Sequence, residues 1–201
     1  MKILGITGGV GAGKSTILAY LEERYRARVI QADEVGKMLQ EPGQPCYLRI
    51  AQEFGQEILK PAGSIDRKKL AAAVFTDEKK LELLNRIVHP AVKAYIMEEL
   101  ENEKRKGEVP FCVIEAALLL EDRYDLICDE IWYVYTEIPV RMRRLARSRG
   151  YSEEKSRQIM ENQLKDEEYR AKCQFVIDNS SDFVEHTYEQ IDKGLTEHGL
   201  L

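Results

Sequence analysis

Eight consecutive residues near the start of the chain have the types and spacing of a phosphate-binding loop. They read Gly8-Gly-Val-Gly-Ala-Gly-Lys-Ser15, a complete match to GxxxxGK(S/T). Glycines let the backbone point its N–H groups at phosphate oxygens, a lysine supplies a cation for the β- and γ-phosphates, and a serine hydroxyl can ligate Mg²⁺. The pattern predicts a nucleoside triphosphate site rather than a chance glycine-rich turn. The predicted ATP contacts are Gly9, Gly11, Ala12, Gly13, Lys14 (also catalytic), Ser15 and Thr16.

Two carboxylates lie at the ends of later apolar runs. Asp33 ends the second run, on the sheet edge where open α/β sheets place their ligands, so it could accept the proton of an acceptor hydroxyl. Position alone equally allows Asp33 to cap a helix that begins at Glu34-Val35. Glu115 closes the third run, as an acid that reaches Mg²⁺ directly or through water does. We favour that role over an acid that merely ends a strand.

An arginine-rich segment in the second half of the chain is the remaining candidate for phosphate chemistry. In an acidic protein with a phosphate-binding loop, such a segment indicates a lid that closes over phosphates and excludes water. A nucleic-acid-binding stripe conflicts with the net charge of −5. Some of the arginines are expected to form ion pairs with nearby acids such as Glu153 and Glu154. We expect only one or two of them to touch ATP. They are Arg141, Arg143, Arg144, Arg147 and Arg149.

Five short apolar runs must position these side chains. Residues 2–6 form the first run, and a helix is predicted to follow the glycines from about Gly13 to Arg26. Short apolar strands separated by helical segments indicate a parallel sheet with helices on both faces. The other predicted strands are Val29–Asp33, Phe111–Ile114, Ile131–Tyr135 and Phe175–Ile177.

Two connections between these strands are long and helical. Almost eighty residues follow Asp33 before the third strand, and their apolar positions keep helical spacing from Leu81 to Leu100, interrupted at His89-Pro90. Proline there either kinks a long helix or opens a new one. The second, highly charged excursion lies between Tyr135 and Phe175. The sequence thus predicts one α/β core with two helical excursions.

The composition excludes several classes of protein. Of 201 residues, 44% are hydrophobic and 32% charged, unlike disordered or fibrous chains. The acidic balance argues against a protein that coats nucleic acid. The first apolar stretch is too short for a signal peptide, and Ala116–Leu120 falls far short of the ~20 residues that span a bilayer. We therefore expect no membrane segment and a cytoplasmic location, with the four widely spaced cysteines as free thiols.

Short segments in a fixed order carry a resemblance along nearly the whole chain. They are Ile6–Ser15, Val29–Asp33, Glu41–Pro45, Ile65–Arg67 with Leu70, Leu84–Pro90, Leu118–Glu121, the arginines up to Gly150-Tyr-Ser152, Gln163 and Phe175–Asn179. The phosphate-binding loop is common to many families. Its combination with Ala-Asp after the second strand, Glu-Pro-Gly-x-Pro and His-Pro is much more specific. In these features the chain resembles the dephospho-CoA kinase family.

The resemblance implies ATP-dependent phosphorylation of the 3′-hydroxyl of the dephospho-CoA ribose, the last step of CoA synthesis, with Mg²⁺ accompanying ATP. It implies an α/β fold with a P-loop NTPase core, whose five-stranded parallel sheet is flanked by helices. The core would comprise residues 1–34, 108–136 and 172–201, a helical acceptor-binding domain residues 35–107, and a lid residues 137–171. The partners would be the two small substrates, without nucleic acid or membrane, for a monomer or weak homo-oligomer.

The resemblance also assigns roles to single side chains. It favours Asp33 as the base over Asp33 as a helix cap. It places His89 at the acceptor, although a lone histidine at a helix start is more often structural. The loop after Asn179 would lie near the adenine, with Asn179 itself an ATP contact, and the metal would meet Ser15 and Glu115. The acceptor residues would be Asp33, Arg67, His89, Leu118, Leu119 and Glu121.

Three positions depart from the family pattern. An acid usual at position 31 is Gln31, which leaves Asp33 as the only carboxylate there. The usual Pro-Leu-Leu begins with Ala117, so we expect the wall after the third strand to differ in shape from the family's. The usual Arg-Asp-Gly of the lid is Ser148-Arg-Gly150, which opens the question of which arginine covers ATP. Our candidates are Arg144 and Arg149.

Two other functions are compatible with the loop alone. One is a P-loop kinase for another small hydroxyl acceptor, such as a nucleoside monophosphate or a sugar acid. The other is a non-catalytic nucleotide switch, which would not need Asp33. The long helical insertion directly after the second strand favours a substrate-binding domain over a switch.

Overall fold

The computed structural model describes residues 1–201 and contains five strands and nine α-helices. The strands are β1 (Lys2–Thr7), β2 (Arg28–Gln31), β3 (Phe111–Glu115), β4 (Glu130–Tyr135) and β5 (Phe175–Asp178). The helices are α1 (Lys14–Tyr25), α2 (Ala32–Leu39), α3 (Pro45–Phe54), α4 (Arg67–Phe75), α5 (Glu78–Lys106), α6 (Ile138–Arg149), α7 (Glu153–Glu161), α8 (Asp166–Lys172) and α9 (Val184–Glu197). None of these helices is both long and apolar enough to cross a bilayer.

The chain divides into two compact units. The first comprises residues 1–30 and 103–201, and it includes the predicted lid segment, 137–171. The second is one continuous segment, residues 31–102, built from α2, α3, α4 and most of α5. One stretch of chain therefore leaves the first unit and returns to it once.

The phosphate-binding loop emerges from the central strand of the sheet. The strand order is β2-β3-β1-β4-β5, and β1 pairs in parallel with β3 and β4. In that register Leu4 lies opposite Val113 on one side and Glu130 on the other. Strands covered on both faces read as continuous apolar runs, as these do. The predicted α/β fold with a five-stranded parallel sheet is confirmed.

The core of the first unit packs around the single tryptophan of the chain. Trp132 on β4 is fully buried, and its ring lies 4.8 Å from that of Phe175 on β5. Helix α9 passes over both rings at Gly194, where a Cβ would come within 2.8 Å of the Trp132 ring. Each large apolar side chain buried in this way contributes about 1.5–3 kcal/mol. The core also includes Leu4, Ile6, Ile17, Leu21, Phe111, Val113, Val134, Ile177, Ile191 and Leu195.

The structure corrects the predicted end of the second strand and selects one of the two alternatives for Pro90. The second strand ends at Gln31, so the prediction that it extends to Asp33 is wrong. Helix α2 starts at Ala32 because its buried positions, such as Ala32, Val35 and Leu39, recur at helical spacing. Of the two alternatives for Pro90, the long helix holds, since α5 runs through the proline without a break.

Candidate active site

The loop between β1 and α1 depends on glycine at two positions. Gly13 precedes α1 with φ +87°, a conformation that side chains disfavour, and no side chain caps the helix. A Cβ at Gly13 would overlap the Asn179 amide, and a Cβ at Gly8, which also has a positive φ, would lie 2.6 Å from the Val134 carbonyl oxygen. The uncapped N-terminus of α1 presents backbone N–H groups and a partial positive charge, which suit an anion.

Lys14 is held at the end of the sheet by two acceptors. Its Nζ donates to the Gly8 carbonyl at 2.8 Å and lies 3.4 Å from Glu115 Oε1. The Lys14 and Glu115 side chains are only 14% and 13% exposed, so solvent screens the pair weakly. The ammonium and the acid that ends β3 therefore already lie together beside the loop.

Arg141 of α6 packs directly on the loop. Its Nε donates to the Val10 carbonyl at 2.9 Å, and its Nη2 donates to Gln163 Oε1 at 2.8 Å. The same Gln163 oxygen accepts the Val10 N–H at 3.0 Å. Burial lowers the pKa of Arg141 below its usual value, which the nearby Tyr133 and Tyr169 hydroxyls oppose. Arg141 and Gln163 thus hold both polar groups of the Val10 backbone.

Side chains from three segments lie within hydrogen-bond distance of the Ala12 carbonyl. Asn179 Nδ2 lies 2.7 Å from this oxygen, Thr136 Oγ1 3.0 Å and Arg144 Nη1 3.4 Å. Asn179 follows β5 and Thr136 follows β4, while Arg144 belongs to α6. The Thr187 hydroxyl donates to Asn179 Oδ1 at 2.9 Å. The Ala12 carbonyl of the loop is therefore held by a largely buried polar network.

Only one of the two lid arginines singled out from the sequence contacts the loop. Arg144 reaches Ala12, whereas Arg149 is the exposed last residue of α6, with its guanidinium 5.9 Å from the centre of the Tyr151 ring. Sequence reasoning gave no individual role to Arg141 or to Thr136. Gln163 was expected only as part of the family pattern.

The predicted acceptor residues after β3 differ in exposure. Leu118 is 46% exposed and Glu121 is also exposed, whereas Leu119 is completely buried. A Cβ added to Gly5 of β1 would lie 3.2 Å from Leu119 Cδ1, which shows that this side chain packs against the sheet. Leu118 and Glu121 can therefore meet a ligand, while Leu119 supports the wall from inside.

Asp33, in the second unit, is not a helix cap. Helix α2 begins at Ala32 with Gln31 in the capping position, and no side chain bonds to the first turn. Asp33 is the second residue of the helix and is exposed. Of the two alternatives left open by position, the capping role is excluded.

Arg67 and His89 belong to helices of the same unit. Asp66 caps α4 by accepting two backbone N–H groups at 3.0 and 3.2 Å, and this fixes Arg67 as the first helical residue. The exposed Arg67 guanidinium lies 3.5 Å from Glu41 Oε1. His89 is half-buried within α5, directly before Pro90.

Ser15 and Glu115 suit a magnesium ion that arrives with a nucleotide. Ser15 is exposed in the first turn of α1, and Glu115 ends β3 beside Lys14. The structure contains no group of three or more His, Cys, Asp or Glu side chains that could hold a metal ion. Mg²⁺ is usually held by one or two protein groups together with substrate phosphates and water. The donor set therefore fits this metal.

Comparisons with known proteins place the chain in one family. A family model described as dephospho-CoA kinase matches residues 2–185. The chain is 37% identical over 180 residues to the dephospho-CoA kinase of Corynebacterium diphtheriae, which covers 90% of this chain and 89% of that protein. A crystal structure from Thermus thermophilus has a TM-score of 0.83 at 28% identity, covering 98% of this chain and 97% of the other.

A more distant solved structure supports the same fold. The dephospho-CoA kinase from Campylobacter jejuni has a TM-score of 0.72 at 22% identity, covering 99% of this chain and 100% of that chain. The family model matches residues 2–185, a range that includes the phosphate-binding loop, Lys14 and all five strands. The chain belongs to the dephospho-CoA kinase family.

Proposed function

We propose that the chain transfers the γ-phosphoryl group of ATP to the 3′-hydroxyl of the dephospho-CoA ribose, giving CoA and ADP. The observation that carries this proposal is the family match over residues 2–185, which includes both the phosphate-binding loop and the helical segment after β2. The loop geometry supports the donor half of the reaction independently.

On the donor side, the loop and Lys14 supply positive charge. The backbone N–H groups at the start of α1 would bind phosphate oxygens, and Lys14 would exchange the Gly8 carbonyl for the β- and γ-phosphates. Fixed donors of this kind stabilise charge that builds up on the transferred group. Ser15 and Glu115 would hold Mg²⁺, which neutralises phosphate charge when bound.

On the acceptor side, Asp33 is our candidate base. It is an exposed carboxylate that takes no part in capping α2, so its oxygens are available to accept the hydroxyl proton. Arg67 and His89 would border the acceptor, as would Leu118 and Glu121. We assign acceptor binding to residues 35–107 as a domain.

We assign the lid to residues 137–171. Arg141 and Arg144 of this segment contact loop carbonyls, so we expect them rather than Arg149 to lie over the phosphates of ATP. Asn179 would act on ATP through the loop, and the segment after it would lie near the adenine. We further propose a monomer or weak homo-oligomer in the cytoplasm, a reducing compartment that suits the four free thiols.

An acceptor-dependence assay tests this function. Purified protein is mixed with Mg²⁺-ATP and, in separate reactions, dephospho-CoA, nucleoside monophosphates or sugar acids, and ADP release is followed. We expect ADP release only in the reaction that contains dephospho-CoA. Mass spectrometry should show a product heavier than dephospho-CoA by one phosphate. Faster turnover with another acceptor would identify a different kinase, and equal ADP release without any acceptor would indicate a switch. A Lys14→Ala preparation controls for contaminating ATPases.

A further inference from the structure

We propose that Thr187 of α9 is a positioning residue for ATP binding, acting through the Asn179 amide on the Ala12 carbonyl of the loop. The proposal rests on the ATP site inferred above. Thr187 lies just beyond the residues matched by the family model, which end at 185. Its hydroxyl bonds to the Asn179 amide and not to the loop itself.

Three buried groups form an ordered chain of hydrogen bonds. Thr187 is 0% exposed and Asn179 is 5% exposed. The Thr187 hydroxyl donates to Asn179 Oδ1 at 2.9 Å, and Asn179 Nδ2 donates to the Ala12 carbonyl at 2.7 Å. The Asn179 backbone is held separately, since its N–H donates to the Tyr135 carbonyl at 2.9 Å. Both ends of the amide are thus engaged in an almost completely buried position.

The Ala12 carbonyl sets the direction of the next N–H group. In a planar trans peptide the C=O and the following N–H point to opposite sides, and the chain contains no cis peptide bond. A donor that holds the Ala12 oxygen toward Asn179 therefore directs the Gly13 N–H away from Asn179. Inward-pointing N–H groups are what a phosphate-binding loop needs.

The other two donors on Ala12 do not replace Asn179. Arg144 is more distant at 3.4 Å. Thr136 has one hydroxyl proton, and its oxygen lies closer to the Tyr135 carbonyl, at 2.7 Å, than to Ala12, at 3.0 Å. Asn179 is consequently the donor that fixes the carbonyl.

Loss of the Thr187 hydroxyl leaves a buried oxygen without a donor. An unsatisfied buried acceptor is costly, and the Asn179 amide can relieve that cost only by turning away from its present position. Turning also breaks the bond to Ala12. The effect of a change in α9 then reaches the phosphate-binding loop.

The test compares Thr187→Val with Thr196→Val. Valine keeps the shape of threonine and removes the donor, and Thr196 of the same helix donates only to the Asp192 carbonyl at the surface. We expect Thr187→Val to weaken ATP binding, measured by calorimetry, by about 10-fold. The KM for dephospho-CoA should stay within about two-fold, Thr187→Ser should restore ATP binding, and Thr196→Val should bind ATP normally.

Several outcomes overturn the proposal. Folded Thr187→Val with unchanged ATP affinity would show that the hydroxyl does not act on the loop, and so would equal losses of affinity for both substrates. If Thr187→Val does not fold, Thr187→Ala takes its place, since it also removes the hydroxyl. We then expect Thr187→Ala to weaken ATP binding by about 10-fold. Failure of the wild-type protein to bind ATP would instead refute the ATP site itself.

Discussion

Asp33 is the residue on which the proposed chemistry depends most. Because its carboxylate is exposed at the start of α2 and is not a cap, Asp33→Asn should keep the fold and remove only the base. We expect kcat to fall by about 10²–10⁴ with the Kd for ATP nearly unchanged. Steady-state kinetics and calorimetry measure the two quantities.

The neighbouring carboxylate provides the matched control for Asp33. Glu34 is also exposed, and its side chain is paired with Lys37. Glu34→Gln should leave kcat within about two-fold, since surface ion pairs contribute little. A parallel collapse of ATP affinity in Asp33→Asn would assign Asp33 to the nucleotide site instead.

Arg141 and Arg149 give opposite predictions although they lie on one helix. Arg141 is half-buried against the loop, whereas Arg149 is exposed at the end of α6. We expect Arg141→Gln to lower kcat/KM for ATP by roughly 10–100-fold, as expected when a donor to phosphate charge is removed. Arg149→Gln should stay within about two-fold. Losses in the reverse order would place Arg149 over the phosphates.

The residues that could be identified from sequence are those whose chemistry is local. The glycines and Lys14 follow from spacing alone, because a phosphate-binding loop is built within eight residues. Arg141 could not be identified in that way, because which of several arginines meets the loop depends on how α6 packs. A signal did exist, since the buried Val140 and Leu145 place Arg141 and Arg144 beside the inward face of the helix.

At the level of elements, the N-terminus of α4 carries a stability prediction. Asp66 accepts two N–H groups of the first turn, and such a cap is worth about 1 kcal/mol. Asp66→Ala should lower the free energy of unfolding by about that amount. If Arg67 borders the acceptor, the KM for dephospho-CoA should also rise. Urea denaturation and kinetics measure these effects.

Asp66→Asn is the control for this cap. Asparagine caps helices about as well as aspartate, so this variant should keep most of the stability. An equal loss in Asp66→Asn and Asp66→Ala would show that charge, rather than capping, explains the effect.

Element types were predictable where hydrophobic periodicity is long, and element ends were not. All five strands follow from apolar runs, yet β2 stops at Gln31 because Ala32 begins a helix whose buried face becomes visible only with Val35 and Leu39. At Pro90 local chemistry allows both a kink and a start. The structure has one continuous helix, α5, through this position.

At the level of the whole molecule, two thiols predict a loss of stability in alkali. Burial, with nearby Asp129 and Asp125 adding, raises the pKa of Cys128 from 9.0 to about 12, and burial raises the pKa of Cys173 likewise to about 12. Above pH 9 the unfolded chain releases these protons while the folded chain keeps them. The free energy of unfolding should therefore fall by about 1.4 kcal/mol per pH unit for each thiol between pH 9 and 12, and above pH 10 Tyr169, whose pKa burial raises to about 12, makes the fall steeper.

Urea denaturation followed by circular dichroism at pH 8, 9, 10 and 11 measures this slope. Cys128→Ala removes one of the two thiols, so its slope should be smaller by about one proton. A flat pH dependence between pH 9 and 11 would show that the thiols ionise as readily in the folded protein as in the unfolded one.

The assignment of activities to whole segments stays a prediction. Chain pattern and resemblance assign acceptor binding to residues 35–107 and a lid to residues 137–171. The structure shows a continuous unit, 31–102, and keeps the lid segment with the sheet. The role of a segment depends on which substrate it contacts, and hydrophobic periodicity does not predict such contacts.

Trp132 provides an intrinsic fluorescence probe of the sheet. The chain has one tryptophan, and its ring is sealed between β5 and α9 in the first unit. Its fluorescence therefore follows the melting of that unit alone, without any attached dye, whereas the helical signal sums both units. Emission and ellipticity recorded on one sample would reveal whether the inserted segment 31–102 melts together with the sheet or ahead of it.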